Sequence, residues 1–294
     1  MAERKFLAEQ FETNRGRLRG VAYRMLGSLN EAEDAVQEAW LRLDRTGSEE
    51  IENLNGWLTT VVARVCLDML RSRASRHEES LDAEAARPNT RVKGATDPEQ
   101  ETLLAESVGL ALLVVLETLE PAERLAFVLH DMFAVPFDEI AGILGRSSEA
   151  ARQLASRARR RVQGADRTAA ADLKQQKEII DAFLAALRAG DFGALVALLD
   201  PEVVVRADAS AAVGGVTREL QGAEAWARQA IALSRGARFA QAALVDGSVG
   251  LVVAPRGRLF RVLRFRLQDR KILEIEVVGD ADRLRQLDLA VLNE

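Results

Sequence analysis

Between Phe137 and Val162 the chain reads FDEIAGILGRSSEAARQLASRARRRV, and this stretch constrains the fold more than any other. Ile140, Ala141 and Leu144 form a short apolar stripe. Gly145 stops it, because a turn there needs the positive φ that glycine adopts freely. Ser147 then offers a hydroxyl to cap a second helix. On that helix Ala151, Leu154, Ala155, Ala158 and Val162 recur at helical spacing. Small alanines let two helices approach closely, so the pattern predicts a helix-turn-helix. Its outward side carries Arg152, Gln153, Ser156, Arg157 and Arg160, groups that hydrogen-bond base edges and phosphates. A solubilising helix end favoured by the dipole accounts for one of Arg159, Arg160 and Arg161, but not for the whole array.

Charge needs a closer look, since the net charge of −5 is the wrong sign for a nucleic-acid binder. From Arg146 to Arg167 there are seven arginines against Glu149 and Asp166. From Trp57 to His77, Arg64, Arg71, Arg73 and Arg76 face Asp68 alone. Residues 1–172 nonetheless hold 23 Lys and Arg against 29 Asp and Glu. Two basic patches in an acidic background predict weak DNA binding by the chain alone, because phosphate neutralisation supplies most non-specific affinity. A larger DNA-binding partner removes that difficulty. The single Cys66 excludes an internal disulfide, and with two histidines in all a zinc site is not expected. No cofactor is expected either. The longest apolar run, Gly109 to Leu116, falls short of the ~20 residues that span a bilayer. The N-terminus MAERKFLAEQFE lacks the apolar core of a signal peptide, so a cytoplasmic location without membrane partners is expected.

At 294 residues the chain exceeds one compact core at roughly 100–200 residues per domain. Arg17 to Met25 reads as a helix ended near Gly27-Ser28. A second runs from Asn30, an expected N-cap with Glu33 at the capping-box position, to about Leu43. After the loop Thr46–Asn55 a third opens at Gly56-Trp57. His77 to Gln100 is polar, interrupted by Pro88, Gly94 and Pro98, and reads as a linker. Helical periodicity returns over Leu103–Leu119, Pro121 starts another helix, and the helix-turn-helix follows. Beyond a short hinge at Gly164–Ala171 the pattern changes. Helices at about Lys174–Ala189, Phe192–Leu199 and Ala223–Leu233 accompany strands at Arg238–Val245, Val249–Val253, Leu259–Leu267 and Ile272–Val278, with a last helix at Ala281–Leu292. The expected domains are 1–76, a linker at 77–102, 103–165, and an α+β domain with an antiparallel sheet at 172–294.

YRMLGSLNEAEDAVQEAWLRL (Tyr23–Leu43), GWLTTVVARVCLDMLRSR (Gly56–Arg73) and the helix-turn-helix together resemble an extracytoplasmic-function RNA polymerase sigma factor. Residues 172–294 resemble a SnoaL-like domain of the nuclear-transport-factor-2-like superfamily, a cone of bent sheet and helices. The implied fold is two all-α sigma domains followed by this α+β cone. The resemblance implies an alternative sigma factor that binds core RNA polymerase, recognises −35 and −10 promoter elements and helps melt DNA. It assigns Glu33, Asp34, Gln37, Glu38, Leu41 and Arg42 to the β′ clamp helices, with the β flap as a further polymerase contact. Asn53, Asn55, Trp57, Arg64, Arg71 and Arg73 would serve the −10 element. Ser148, Arg152, Gln153, Ser156, Arg157 and Arg160 would meet the −35 element. Taken alone, Trp57 reads as a core anchor, and Asp68 as a partner of a neighbouring arginine. Val65 stands where many relatives have asparagine.

SnoaL-like domains include cyclases and isomerases that use pocket carboxylates and often histidine. Both His77 and His130 lie upstream of the tail, and Asp208, Asp246, Glu274 and Glu276 are its candidate acids. No enzymatic activity is expected. The tail is expected to touch the sigma domains and modulate promoter opening, with Gly279–Leu284 resembling the terminal motif of such tails. The linker lacks the Trp-Leu-Pro-type segment of relatives, and residues after Val205 lack their glycine-rich lysine motif. The alternative is a stand-alone helix-turn-helix regulator whose cone senses a small molecule.

Overall fold

The computed structural model describes residues 2–46, 51, 53–81, 109–164, 170–212, 215–232 and 234–292. Most of the expected linker, most of the hinge and half of the loop 46–55 lie outside the described residues. The chain divides into two compact units, one formed by 1–104 with 119–159, the other by 105–118 with 160–294.

The first unit begins with three helices, α1 (Ala2–Leu26), α2 (Leu29–Thr46) and α3 (Leu54–Leu81). α1 starts well before the expected Arg17, because Leu7, Phe11 and Leu18 extend its buried face toward the N-terminus. Their wide spacing among charges hid that face. Gly27, at φ +69, ends α1, and its N–H bonds to Tyr23 O at 2.8 Å. α2 opens one residue before the expected Asn30 cap. The capping-box role of Glu33 is not realised: its carboxylate is held by Arg15 at 3.2 Å and Arg19 at 3.3 Å, tying α2 to α1. α3 runs past the expected boundary at residue 76 and carries His77 within it. Burial pushes the Cys66 thiol up to about 12, which leaves it inert.

Two arginines satisfy the carbonyls that α1 leaves unpaired at its end. Arg124 donates to Met25 O at 2.8 Å, and Arg73 to Leu26 O at 3.3 Å. Arg124 sits on α5 (Pro121–Phe127), which starts at Pro121 as expected. A π-turn, Val128–Met132, follows, and Ala134 at φ 55 turns the chain into α6 (Phe137–Leu144). Gly145 closes α6 in the left-handed conformation at φ 64, and α7 (Ser148–Gln163) follows.

In the second unit α4 (Leu110–Thr118) buries Ala111, Leu113, Val114, Val115 and Leu116. α8 (Ala170–Ala189), α9 (Phe192–Leu198) and α10 (Ala223–Ala232) accompany seven strands. These are β1 (Leu199–Ala207), β2 (Arg218–Gln221), β3 (Ala240–Val245), β4 (Ser248–Val253), β5 (Arg261–Gln268), β6 (Lys271–Val278) and β7 (Leu289–Ala290). Their order is β2-β1-β6-β5-β4-β3-β7. The sheet is mixed rather than antiparallel, because β1 pairs parallel with β6. The connection from β1 to β6, with α10 and two hairpins, is long enough for that crossover. The last helix, α11 (Ala281–Gln286), is half its expected length. The open edge of β3 captures Leu289-Ala290 as a strand instead.

Along β5 and β6 the residues alternate. Leu263, Phe265, Leu267, Ile275 and Val277 join the core, where Phe183 meets Phe265 edge-on at 5.4 Å. Arg264, Arg266, Glu274 and Glu276 point the other way and pair across strands. Asp208 fastens the end of β6: its carboxylate accepts the N–H groups of Ala211 at 2.8 Å, Gly279 at 2.9 Å and Asp280 at 3.1 Å. Burial pushes the Asp208 carboxyl up, but these donors and Arg283 overcome it and hold it below the usual range.

Two outcomes follow. A depressed folded pKa contributes stability above the unfolded value of ~3.9, lost as pH falls through the folded value. Melting curves from pH 6 to 3 should therefore show acid loss in the native chain, and a shallower loss in Asp208→Asn. A Cβ at Gly279 would stand 2.8 Å from Ala211 N. Gly279→Ala should therefore cost about 1–3 kcal/mol, read as a lower Tm.

Candidate nucleic-acid interface

α7 presents Arg152, Gln153, Ser156, Arg157 and Arg160 on one exposed face, while Ala151, Leu154, Ala155, Ala158 and Val162 are buried on the other. The geometry is fixed at both helix ends of the turn. Ser147 Oγ accepts the Ala150 N–H at 3.2 Å, as its capping role predicts. Ser148 is half-buried and its hydroxyl bonds to the Asp138 carboxylate on α6. Arg152 lies over the Phe137 ring at 5.6 Å, and Phe137 stacks on His130 at 3.8 Å. Arg159 is withdrawn from the exposed array by Asp131 at 2.7 Å. That pair ties the π-turn to α7 and explains why one arginine of the triplet does not join the outward face. Besides the Phe137 ring, Arg152 meets Glu149 in an exposed ion pair at 3.5 Å, so its guanidinium exchanges partners at little cost.

On α3, Arg64, Asp68 and Arg71 lie exposed along one face. Asp68 forms no ion pair among the described residues, contrary to the expected pairing with a neighbouring arginine. Arg64 donates to Gly142 O on α6 at 3.4 Å. Arg73 is half-buried, bonded to Leu26 O and paired with Glu31. Asn53 is the α3 cap, accepting the Gly56 N–H at 3.0 Å, while Asn55 is exposed and Trp57 half-buried. Asn55, Trp57 and Arg71 thus stand presented, whereas Asn53, Arg64 and Arg73 already hold protein partners.

On α2 the exposed Asp34, Gln37 and Leu41 make a stripe at helical spacing, Leu41 being 43% exposed. Glu38 and Arg42 pair beside it at 2.9 Å, and Glu33 is fixed by α1. A groove of about 580 Å³ runs between α1 and α2, floored by Phe11 and Trp40 with rings 5.1 Å apart. Sequence reading missed it because the N-terminal half of α1 was not recognised as helix; Phe11 seven residues before Leu18 was the available signal.

In the second unit the four tail carboxylates are all engaged. Asp208 has its backbone donors, Asp246 binds Arg264 at 3.3 Å, Glu274 binds Arg266 at 3.1 Å and also Arg206, and Glu276 binds Arg264 at 3.3 Å and also Arg283.

Residues 10–76 match the Sigma-70 region 2 family, and residues 109–162 match Sigma-70, region 4. The chain is 38% identical over 289 residues to ECF RNA polymerase sigma factor SigJ of Mycobacterium tuberculosis, covering 93% of this chain and 92% of that protein. It is 37% identical over 209 residues to the probable ECF RNA polymerase sigma factor SigI of the same species, covering 71% and 72%. Among solved structures it is similar to the crystal structure of the M. tuberculosis sigma factor SigJ, at 33% identity and a TM-score of 0.45, covering 94% and 97%. A stand-alone helix-turn-helix regulator accounts for residues 109–162 but leaves the region 2 match without a role. No helix among the described residues is long and apolar enough to cross a membrane. With both promoter-reading regions in order and a curated relative matched along nearly its whole length, the chain belongs to the extracytoplasmic-function sigma factors, the alternative sigma factors that direct RNA polymerase to promoters.

Proposed function

We propose that the exposed face of α7 reads the −35 element in the major groove, and that this face alone accounts for sequence choice there. The observation that carries the reading is the array of Arg152, Gln153, Ser156, Arg157 and Arg160 on one face of a helix whose other face is buried. Ser148 acts at the helix start, where its hydroxyl is already held by Asp138. Asn55, Trp57 and Arg71 meet the −10 element together with Asn53, Arg64 and Arg73. For this Arg64 exchanges its bond to Gly142 O for phosphate, and Arg73 acts chiefly by orienting α3. The Asp34, Gln37 and Leu41 stripe, with Glu38 and Arg42, docks on the β′ clamp helices; Glu33 sets the angle between α1 and α2. The region 4 module, taken as residues 103–165, meets the β flap.

The acidic balance of residues 1–172 makes the chain a weak DNA binder by itself and leaves most phosphate contact to the polymerase. The reaction catalysed belongs to the polymerase, and the protein works in the cytoplasm. The tail, residues 172–294, modulates promoter use without chemistry of its own, since each of its candidate carboxylates is already committed to an arginine or to backbone N–H groups.

Arg152→Ala with Arg157→Ala should lower promoter affinity of the polymerase complex by about thirtyfold or more, since two good base contacts contribute about 1–3 kcal/mol each. Polymerase binding should be unchanged in a pull-down, and equal loss of both would sink the role assignment. Arg71→Ala should weaken all promoters alike and make the salt dependence shallower by about one counterion. A promoter-selective loss would instead make Arg71 a base-reading residue.

A further inference from the structure

We infer that Phe137 sets base specificity within the −35 element, its ring holding the Arg152 guanidinium ready for one base while leaving the N–H donors free. The inference rests on the reading of α7 as the −35 helix and adds a positioning residue that acts through Arg152. Of the arginines on the exposed face of α7, Arg152 alone lies over an aromatic ring among the described residues, 5.6 Å from the Phe137 centroid. A free arginine loses the freedom of several rotatable bonds when it docks, so one already placed meets its base with less loss. An ion pair places a guanidinium by occupying its N–H groups. A ring attracts it through an electron-rich face and accepts no ordinary hydrogen bond, so the planar fork of donors stays available to a base edge. The exposed pair with Glu149 at 3.5 Å yields readily.

The ring is itself held in place. His130 stacks on it with centroids 3.8 Å apart and planes 28° from parallel. His130 Nδ1–H donates to Val135 O at 3.1 Å, since a carbonyl can only accept. Val135 N–H bonds to Leu129 O at 2.9 Å and Ala134 N–H to His130 O at 3.0 Å, which closes the turn on itself. Pro136, at φ −61, then leads into Phe137 at the first position of α6. Ring and guanidinium stand on elements joined at two points. Ser148 Oγ bonds to the Asp138 carboxylate of α6, and Arg159 reaches Asp131 of the π-turn at 2.7 Å. Arg152 follows Ser148 by four residues and precedes Arg159 by seven, so the three share one side of α7. The two tethers therefore bracket Arg152 and fix its distance from the ring. His130, which no other part of the proposed function uses, is the backing of that ring.

The test uses the full chain with core polymerase and a promoter selected by the native complex, with each −35 base pair substituted in turn. Arg152→Ala first identifies the position whose base preference depends on Arg152. Phe137→Leu removes the ring but keeps apolar bulk, and should lower the preference at that position about two- to tenfold, the ordering cost of one long side chain. Phe137→Tyr keeps the ring and should keep the native preference. Added to Arg152→Ala, Phe137→Leu should cost no further promoter affinity; added to Arg157→Ala, it should cost as much as in the native chain. A native preference in Phe137→Leu overturns the inference and leaves α7 as the −35 reader. An equal loss of affinity with and without Arg152 overturns it as well, because the ring would then be packing alone. If Phe137→Leu does not fold, His130→Ala, which removes the backing of the ring, decides by the same criteria. If Arg152→Ala by itself alters no base preference, the reading of Arg152 as a base contact has failed, and the inference falls with it.

Discussion

Helix ends govern this molecule more than helix faces do. An α-helix leaves four carbonyls without partners at its C-terminus, and burial makes each one costly unless something donates to it. α1 ends inside the first unit, and the donors to Met25 O and Leu26 O come from Arg124 and Arg73, residues 99 and 47 positions away. α7 ends against a backbone N–H from Val291. In both cases a local requirement of one helix is met by a distant part of the chain. These bonds fix α5 and α3 against α1 in the first unit and the end of α7 against the sheet in the second.

Charge is arranged to the same effect. The chain is acidic as a whole, yet its arginines are sorted by task. Arg15, Arg19, Arg73, Arg124 and Arg159 are spent on carboxylates and carbonyls within the protein. Arg71, Arg152, Arg157 and Arg160 stay exposed on α3 and α7. On the tail sheet Arg206, Arg264 and Arg266 each face an acid across the strands, and Arg283 reaches Glu276 from α11, so that face carries many charges in balance and no basic field. Exposed pairs of this kind contribute little stability. Their consequence is that the proposed DNA-facing charge is confined to two helices, which suits a factor that depends on a larger enzyme for general affinity.

Much of this was legible beforehand where a local rule acts without competition. Gly145 and Ser147 set the helix-turn-helix from adjacent residues, and Pro121 set the start of α5. The outward face of α7 followed from periodicity alone, as did the four strands between residues 240 and 278. What was not legible depended on partners far away in sequence. The open edge of β3 decided that Leu289-Ala290 is a strand, since an apolar run of that length satisfies either period. Glu33 fits a capping box by spacing, but two arginines on α1 took it. The resemblance gave Asn53 and Arg73 to the −10 element, and the structure also engages both in holding α3. The parallel pairing of β1 with β6 left no mark in either strand.

Single-round run-off transcription with purified core polymerase tests the central claim most directly, using a selected promoter and two derivatives with the −35 or the −10 element separately scrambled. The account predicts transcripts only when the chain is present, and a collapse of the signal with either derivative, because separate modules hold separate elements. Initiation that survives the loss of one element unchanged would contradict the division of labour between α7 and α3, and failure to initiate on any selected template would contradict the account as a whole.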